Sequence, residues 1–282
     1  MILNKKLTPK ANSKVYLPYF DEFFNKLNAG DLYFEKIWGT NVHFGYWDKA
    51  SDTDATASQF IAASKRMNQI MIDRAAISNG MDILDVGCGF GGTIQELDSK
   101  YRNLNLTGLN IDIRQIERAK KKVLPYSTNK VSFILGDACA MPFKDNTFDV
   151  IIAVECIFHF KERSNFFKEA KRVLKPGGRI IFSDFVYFAP LMFFVYFGLT
   201  KLGVFRNWGT VIPASEAGYK ILAKKSNFSP PHFTNISKNT YPNFYVVFKR
   251  KNKLLKRLAE ILFKFLVNTN LVKYMIVNTV AK

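Results

Sequence analysis

The stretch Asp82–Gly92, DILDVGCGFGG, decides the fold. A short apolar run ends in the acid Asp85 and continues into a turn with glycines at 87, 89, 91 and 92. Glycine lets the backbone of such a turn adopt positive φ and approach a ligand closely. A helix predicted to begin at Gly92 directs its free N–H groups and the positive end of its dipole toward that ligand. The pattern therefore indicates a strand, a nucleotide-binding turn and a helix.

Two classes of cofactor fit this turn. Gly87, Gly89 and Gly92 form the GxGxxG pattern of dinucleotide-binding proteins, which is a weak signal by itself. Asp85 lies two residues before the first glycine, where its charge would oppose a pyrophosphate. The same carboxylate favours a ligand with a cationic end, and S-adenosylmethionine (SAM) carries an amino group and a sulfonium. We therefore predict SAM, with NADP and a 2′-phosphate contact from Arg114 as the alternative.

Strand and helix patterns alternate regularly after the turn. This alternation predicts an α/β fold in which helices cover both faces of a parallel sheet. Helical patterns at Phe20–Ile37 and Ala57–Ile77 precede the turn, and another lies at Ser215–Ser226. The predicted strands are Ile83–Val86, Leu106–Leu109, Val131–Leu135, Val150–Val154, Arg179–Phe182, His232–Ser237 and Lys273–Val280. The helices predicted between the first five are Thr93–Tyr101, Ile113–Val123 and Asn165–Leu174, with a turn at Lys175–Gly178.

The formal net charge of +18 indicates attraction to an acidic partner. The basic residues form neither an arginine-rich arm nor a known RNA-binding module, so no nucleic acid is expected. The candidate partners are an anionic membrane surface, an acidic carrier protein and a phosphorylated substrate. The alternative is that the charge reflects lysine-rich coding in the source and has no functional meaning. The N-terminal MILNKKLTPK lacks a signal-peptide pattern, which predicts a cytoplasmic protein. Cys88, Cys139 and Cys156 lack metal-ligand spacing, and no metal is predicted.

Two segments could cover an acceptor or contact a membrane. Phe188–Thr200 carries no charge and is too short to span a bilayer, so we predict a lid, a buried helix or an interfacial segment. Tyr245–Val267 combines apolar positions at helical spacing with lysines and arginines. This pattern fits either a surface helix packed on its own core or a basic helix at a membrane. Peripheral association of a cytoplasmic protein with a membrane therefore stays open.

A polar residue lies at or just after the end of each of the first five predicted strands. These residues are Asp85, Asn110, Asp137, Glu155 and Asp184. Because ligands of an open parallel sheet bind beyond the carboxyl ends of its strands, the five side chains are expected to line one site.

The motifs resemble those of class I SAM-dependent methyltransferases over about residues 41–184. DVGCGFGG, at 85–92, resembles the first motif of that family, in which the acid and the glycines hold the methionine part of SAM. GDACAMPF, at 136–143, resembles a second motif, which implies that Asp137 binds the adenine amino group and Ala138 the ring edge. RVLKPGGRIIFSDF resembles the segment leading into strand five, and LVKYMIVNTVAK the closing antiparallel strand. The implied fold is a Rossmann-like, mostly parallel sheet of seven strands with an antiparallel last strand, N-terminal helices and a lid after strand five.

One position departs from the usual pattern of the family. The acid that binds the ribose at the end of strand two is replaced by Asn110. Subgroups with a neutral residue there, such as sugar and natural-product O-methyltransferases, carry a glutamine five residues later, where this chain has Gln115. The pair could share the ribose hydroxyls, with Asp112 as a competing ligand. The cofactor contacts implied overall are Tyr46, Asp85, Gly87, Cys88, Gly89, Gly91, Asn110, Ile111, Gln115, Asp137, Ala138 and Glu155.

The resemblance also implies a cover and a base. The segment His43–Trp47 resembles one in small-molecule methyltransferases, which implies that Tyr46 or Trp47 closes over SAM. His159 and Asp184 match the histidine and the strand-five acid of the sugar O-methyltransferases. A histidine can take a hydroxyl proton near neutral pH, and an acid can orient it, so these two are the predicted catalytic residues.

The sequence therefore predicts a single methyltransferase domain, 1–282. Its parts are a helical cap at 1–80, a SAM-binding core at 81–185, a lid and acceptor region at 186–230, and C-terminal strands with the basic helix at 231–282. The predicted reaction is methylation of a hydroxyl on a natural product, sugar, quinone or lipid, with a hydrophobic or acidic acceptor. A membrane-associated C-methyltransferase or a cyclopropane-synthase-like lipid enzyme is the alternative. An NADP-dependent reductase and a non-catalytic SAM-binding protein are more distant ones.

Overall fold

The computed structural model describes residues 17–49, 56–125, 127–201, 211–243, 261–262 and 264–282. The helices are α1 (Pro18–Asn28), α2 (Leu32–Trp38), α3 (Ala57–Arg74), α4 (Gly92–Lys100), α5 (Ile113–Lys122), α6 (Arg163–Val173), α7 (Met192–Lys201) and α8 (Glu216–Lys225). The strands are β1 (Asp82–Val86), β2 (Asn105–Asn110), β3 (Lys130–Leu135), β4 (Phe148–Ala153), β5 (Leu174–Tyr187), β6 (His232–Asn235) and β7 (Val272–Val280). Short 3₁₀ turns lie at Ile157–His159, Ala189–Leu191 and Ser237–Thr240.

The seven strands form one sheet in the order β3-β2-β1-β4-β5-β7-β6. The first five strands are parallel, and β7 runs antiparallel to both β5 and β6. The predicted fold class is therefore confirmed. Because the carboxyl ends of β1 to β5 lie at one edge, Asn110, Asp137 and Glu155 are brought to the same edge as the end of β1, which carries Asp85. Asp184 instead lies within β5, which continues to Tyr187.

Alternation along the strands divides side chains between the two faces of the sheet. Ile83 of β1 and Ile181 of β5 belong to the core cluster that contains residues of α3, α4 and α5. Leu84 and Ile180 belong to the cluster that contains residues of α6 and α8. By this alternation Asp85 faces the first cluster, whereas Asp184 faces the second.

Three predicted elements differ from the observed ones. The helix predicted over Phe20–Ile37 is two helices, because Gly30 adopts a φ of +74° and Asp31 caps α2 by accepting a 2.9 Å hydrogen bond from the Phe34 N–H. The turn predicted at Lys175–Gly178 lies within the first part of β5, where the pairing with β4 shifts register. The lid predicted from residue 186 begins later, because β5 continues to Tyr187.

Two predicted regions lie partly outside the described residues. Of the basic helix predicted over 245–267, the structure describes 261–262 and 264–267, and residues 264–268 are helical. Of the region after β5, residues 202–210 are not described. Within the described parts of the chain, no helix has the length and apolar character needed to cross a membrane. The division into cap, core, lid and C-terminal part stays a prediction.

Gly45 tests the packing of the segment after α2 against α3. A Cβ at this position would lie 2.5 Å from Ala63 Cβ and 2.7 Å from the Ala63 carbonyl carbon, which is backbone that cannot move aside. We expect Gly45→Ala to lower the unfolding free energy by about 1–3 kcal/mol or more in chemical denaturation. Gly198→Ala is the matched control, since nothing lies within 4 Å of its added Cβ. Being in helix α7, it should raise the unfolding free energy by up to ~1 kcal/mol, and equal effects of the two variants would contradict this account.

Candidate active site

The glycine turn after β1 places backbone next to a pocket. Gly91 is the N-cap of α4 at a φ of +88°, and a Cβ there would lie 2.6 Å from Val123 Cγ2. Gly89 also has positive φ, +55°, but the nearest atom to its added Cβ is 4.0 Å away. A side chain at Gly89 would therefore be strained by the backbone conformation and not by a clash. The open space beside Gly89 is where a ligand can approach the backbone.

Asp85 is the charged centre of this pocket. It is 1% exposed, and its Oδ2 has no hydrogen-bond partner among the described residues. Burial raises the pKa of this carboxyl to about 8, although a hydrogen bond from Thr93 acts in the opposite direction. An ionised, buried and unpaired carboxylate is costly, so the site is suited to a ligand that brings a positive charge. The cationic amino end of SAM meets this requirement.

The opposite wall of the pocket comes from the segment after α2, which sequence reasoning assigned to the site only from His43 onward. The Gly92 N–H donates to the Thr40 carbonyl at 3.1 Å, and Asn41 Oδ1 accepts from Asn68 Nδ2 at 2.9 Å. The lining residues are Thr40, Asn41, Val42, His43, Asp85, Gly87, Cys88, Gly89, Gly92, Thr93 and Val154. Predicted residues Asp85, Gly87, Cys88 and Gly89 are thus together in one pocket.

Asn110 and Gln115 are brought together as the sequence predicts. Asn110 Nδ2 donates to Gln115 Oε1 at 3.1 Å, and both side chains are buried. Asn110 Oδ1 accepts from the Asp112 N–H at 3.0 Å. The carboxylate of Asp112 is held by Arg114, with its Oδ2 at 2.7 Å from Nη2. Asp112 is therefore engaged as the cap of α5, whereas the neighbouring Ile111 is 38% exposed.

Asp137 and Ala138 follow β3 in a tight turn. Asp137 Oδ1 accepts the Cys139 N–H at 2.8 Å, which orders the turn and leaves the second carboxylate oxygen to other partners. Ala138 is 7% exposed and packs in the core cluster on the α6 side. Their contacts with adenine stay a prediction.

Glu155 links three elements around the pocket. It has a φ of +51°, which is unusual for a residue other than glycine. Its Oε1 accepts the Phe44 N–H at 2.9 Å and the hydroxyl of Tyr274 from β7. Burial raises the pKa of Glu155 to about 7, although these two hydrogen bonds lower it. Whatever contact it makes with a cofactor, Glu155 also fixes the His43–Trp47 segment to the sheet.

The two aromatic residues predicted to cover SAM occupy different surroundings. Trp47 is 3% exposed, packs with Ile37 and Phe60, and donates through Nε1 to Asn243 Oδ1 at 3.1 Å. It is a core residue in this structure. Tyr46 is half-buried and packs against the cluster next to the pocket, so it is the better placed of the two for a cofactor contact.

The two predicted catalytic residues lie in separate surroundings. His159 ends the 3₁₀ turn after β4, is 6% exposed, and stacks on Tyr19 with ring centroids 6.0 Å apart. Asp184 is fully buried, and its Oδ2 accepts from Arg163 Nη2 at 3.2 Å and from the Tyr219 hydroxyl. Burial raises the pKa of Asp184, although the charge of Arg163 and its hydrogen bonds lower it. The acid role predicted for Asp184 stays a prediction.

A chain of contacts nevertheless joins Asp184 to the turn that carries His159. Arg163 Nη2, which binds Asp184, also donates to the Ile212 carbonyl at 2.6 Å. The Ile212 N–H donates to the Phe158 carbonyl at 2.8 Å. Asp184 can thus position the residue next to His159 through Arg163 and Ile212.

Helix α1 lies over the glycine turn, a feature that sequence reasoning missed. Phe24 contacts Phe90 of the turn with ring centroids 5.9 Å apart. Asp21 accepts from Arg114 Nη1 of α5 at 2.8 Å. Arg114, which the NADP alternative assigned to a 2′-phosphate, is therefore committed to two carboxylates, Asp112 and Asp21. The only sequence signal for this cover was the aromatic face of the first helix.

The comparisons with known proteins agree with this geometry. A family described as "Methyltransferase domain" matches residues 84–182. Methyltransferase GfsG of Streptomyces halstedii is 31% identical over 251 residues, which cover 86% of each chain. A sterol 24-C-methyltransferase of Aspergillus fumigatus is 39% identical over 151 residues, covering 53% of this chain and 38% of that one. The 27-O-demethylrifamycin SV methyltransferase of Amycolatopsis mediterranei is 33% identical over 153 residues, covering 54% of each.

A solved structure shows the same fold at low identity. The geranyl diphosphate C-methyltransferase of Streptomyces coelicolor superposes with a TM-score of 0.71 at 13% identity, covering 94% of this chain and 98% of that one. That protein was solved in complex with S-adenosyl-L-homocysteine.

The Asp85 carboxylate should affect cofactor binding and folding in opposite directions. We expect Asp85→Asn to lower the affinity for SAM at least about tenfold in calorimetric titration, because a partly buried charge–charge hydrogen bond is worth more than ~1.4 kcal/mol. Without cofactor, the same variant should be more stable than the parent protein at pH 7. Reduced stability together with unchanged SAM affinity would contradict the assigned role.

The pH dependence of stability follows from the same group. The folded pKa of Asp85, about 8, lies above the value of about 3.9 expected for the unfolded chain. Between these values the folded protein holds a proton that the unfolded chain has lost, so its unfolding free energy falls as pH rises. The expected contribution is on the order of 1 kcal/mol per pH unit, and Asp85→Asn should remove it in urea titrations between pH 5 and 8.

Proposed function

Because the chain belongs to the class I SAM-dependent methyltransferases, we propose that it methylates a hydroxyl group of a hydrophobic small molecule. SAM supplies an electrophilic methyl group on a sulfonium centre. The chain has to bind the cofactor, bring the acceptor oxygen into line, exclude water and remove the hydroxyl proton. The position of His159 beside the buried aromatic residues is the observation that carries this proposal.

Buried aromatic rings support a hydrophobic acceptor. Phe158 precedes His159, and its ring centroid lies 6.0 Å from that of Phe185 on β5. Phe185 in turn contacts Phe44 of the pocket-side segment at 6.3 Å. An acceptor that reaches His159 therefore meets apolar surface, which favours a flat or aliphatic molecule with a single reacting polar group over a free sugar.

His159 is the proposed base. It is held by the 3₁₀ turn, where its N–H donates to the Cys156 carbonyl at 3.0 Å, and by the ring of Tyr19. We assign Asp184 as a positioning residue that acts through Arg163 and Ile212 on this turn. The relative from Amycolatopsis, whose name states a 27-O-demethyl substrate, supports oxygen as the methylated atom.

Carbon methylation of a lipid is the second candidate. The observation that favours it is the 39% identity to a sterol 24-C-methyltransferase over the cofactor half. The two candidates differ in the bond that forms. Incubating a lysate extract with SAM labelled with carbon-13 at the methyl group separates them, because methyl ethers and C-methyl groups have distinct carbon chemical shifts.

We further propose a cytoplasmic location with peripheral membrane association, and no nucleic-acid partner. The charge of +18 supports an acidic partner surface. An acidic carrier protein remains the second proposal for that partner. Chemical cross-linking in a lysate, followed by mass spectrometry, tests for it.

The base assignment is tested by His159→Gln. We expect kcat to fall about 10²–10⁴-fold with the affinity for SAM unchanged, because the glutamine cannot accept the proton. His232→Gln is the matched control, since His232 lies exposed on β6 at the far edge of the sheet. The assignment is wrong if His159→Gln retains the parent kcat, or if both variants lose it equally.

The positioning role of Asp184 predicts a different pattern. Asp184→Asn keeps a hydrogen-bond acceptor for Tyr219 but loses the charge that holds Arg163. We expect kcat to fall less than in His159→Gln and the pH–rate profile to keep its acidic limb, because His159 is still the base. Disappearance of that limb in Asp184→Asn would instead identify Asp184 as the titrating base.

A further inference from the structure

The first turn and outer side of α7 expose a group of large apolar side chains. Their exposed fractions are 49% for Phe188, 42% for Leu191, 60% for Phe193, 79% for Phe194 and 58% for Phe197. We call these five residues the phenylalanine face. Exposed apolar side chains that are grouped on one short segment mark an interaction site, whereas single ones elsewhere on a surface do not.

Residues on the inner side of α7 already pack the helix against the core. Leu199 is buried in the core cluster, and Met192, Val195 and Tyr196 pack against it. The helix is therefore apolar on both sides, although only one side is needed to hold it on the protein. The outer phenylalanines add nothing to the fold that smaller polar residues would not add.

A second exposed apolar group adjoins this face. The Phe188 N–H donates to the Leu271 carbonyl at 3.0 Å, so the segment before α7 contacts the turn that follows the C-terminal helical segment 264–268. On that segment Phe265 is 56% exposed, and Ile261 just before it is 57% exposed. Both groups lie where β5 ends and β7 begins, at the edge of the sheet that carries the active site.

The charge of the chain is concentrated in the same third of the sequence. After Asp184 the chain contains fifteen Lys and Arg but only two acids, Glu216 and Glu260. Between residues 185 and 215, which include the phenylalanine face, there is no acid at all. Lys201 is exposed at the end of α7. An apolar face on a segment that carries basic residues but no carboxylates complements an anionic lipid surface.

We propose that the phenylalanine face docks on an anionic membrane and that the acceptor enters the active site from the lipid. The second part rests on the proposed hydrophobic acceptor, whereas the docking does not. The phenylalanines enter the acyl-chain boundary while the basic residues remain among the headgroups. The helix lies on the membrane, since α7 has only ten residues.

Shared packing gives the acceptor a short route inward. Leu199 of α7 and Tyr187 at the end of β5 are in the same apolar cluster as Phe158, the neighbour of His159. Phe44, from the pocket-side segment, is also in this cluster. A lipid-soluble acceptor that enters beneath α7 would therefore lie next to an apolar cluster that extends to the neighbour of the proposed base.

Vesicle co-sedimentation tests the docking. The probes are vesicles of phosphatidylcholine alone and vesicles of equal parts phosphatidylcholine and phosphatidylglycerol. We expect the full-length protein to bind the anionic vesicles at least tenfold more tightly than the neutral ones. The triple variant Phe193→Ser, Phe194→Ser, Phe197→Ser should lose at least tenfold of its binding to the anionic vesicles.

A matched control removes the same amount of exposed apolar surface elsewhere. Leu32, Leu124 and Ile221 are 82%, 71% and 55% exposed on other parts of the protein. The triple variant Leu32→Ser, Leu124→Ser, Ile221→Ser should bind anionic vesicles as the parent protein does. SAM affinity by calorimetric titration should be unchanged in both triple variants, which shows that each is folded.

Several outcomes would overturn the proposal. They are absence of vesicle binding by the parent protein, equal loss in the two triple variants, and no loss in the phenylalanine variant. A dimer in sedimentation velocity that the phenylalanine variant abolishes would identify a second copy of the chain as the occupant instead. Failure of the proposed hydroxyl methylation would appear separately, as vesicle binding and SAM binding without an O-methyl product.

Discussion

The buried carboxylate of Asp85 is the constraint around which the site is built. A carboxyl at 1% exposure, with an oxygen that no described residue contacts, destabilises the folded protein at neutral pH, because it has either to ionise without a partner or to hold a proton there. A cationic cofactor in contact with Asp85 would convert the same group into a binding determinant, because it would bind only the folded state. The glycines of the turn and the segment 40–43 enclose this carboxylate on the remaining sides. If Asp85 binds the cofactor as predicted, the chain gives up stability at one position and gains selectivity for a positively charged ligand.

The sheet determines which groups can cooperate with Asp85. Successive residues of β5 point to opposite faces, so Ser183 meets Tyr274 and Glu155 on the cofactor side, with a 3.2 Å bond from the Tyr274 hydroxyl to Ser183 Oγ. Asp184, one residue later, meets Arg163 and Tyr219 behind the sheet. The sequence motif predicted that Asp184 acts together with His159. A motif alone does not show on which face of the sheet a side chain lies. In the structure Asp184 is joined to the turn that carries His159 through the Arg163 and Ile212 contacts.

The strands and the cofactor turn were predictable because their signals are local. Apolar runs, glycines and the Asn110–Gln115 spacing each lie within a few residues, and the structure reproduces them. The cover formed by α1 was not predictable, because Asp21 meets Arg114 across 93 positions of sequence. The division of Phe20–Ile37 into two helices depended on a single residue, Gly30 at positive φ. The core position of Trp47 was not predictable for a related reason, because its partners, including Asn243, are distant in sequence.

The positive charge of the protein and the positive charge of its cofactor need not conflict. Exposed charges separated by more than about 8–10 Å are largely screened at physiological ionic strength. Asp85 would act from inside the pocket on a ligand in direct contact with it, where screening by salt is weak and the interaction is strong. The lysines that follow Asp184 act at the surface, on partners that approach from outside. A strongly basic chain can therefore hold a cationic cofactor and attract an anionic surface at the same time, because the two interactions take place in different dielectric environments.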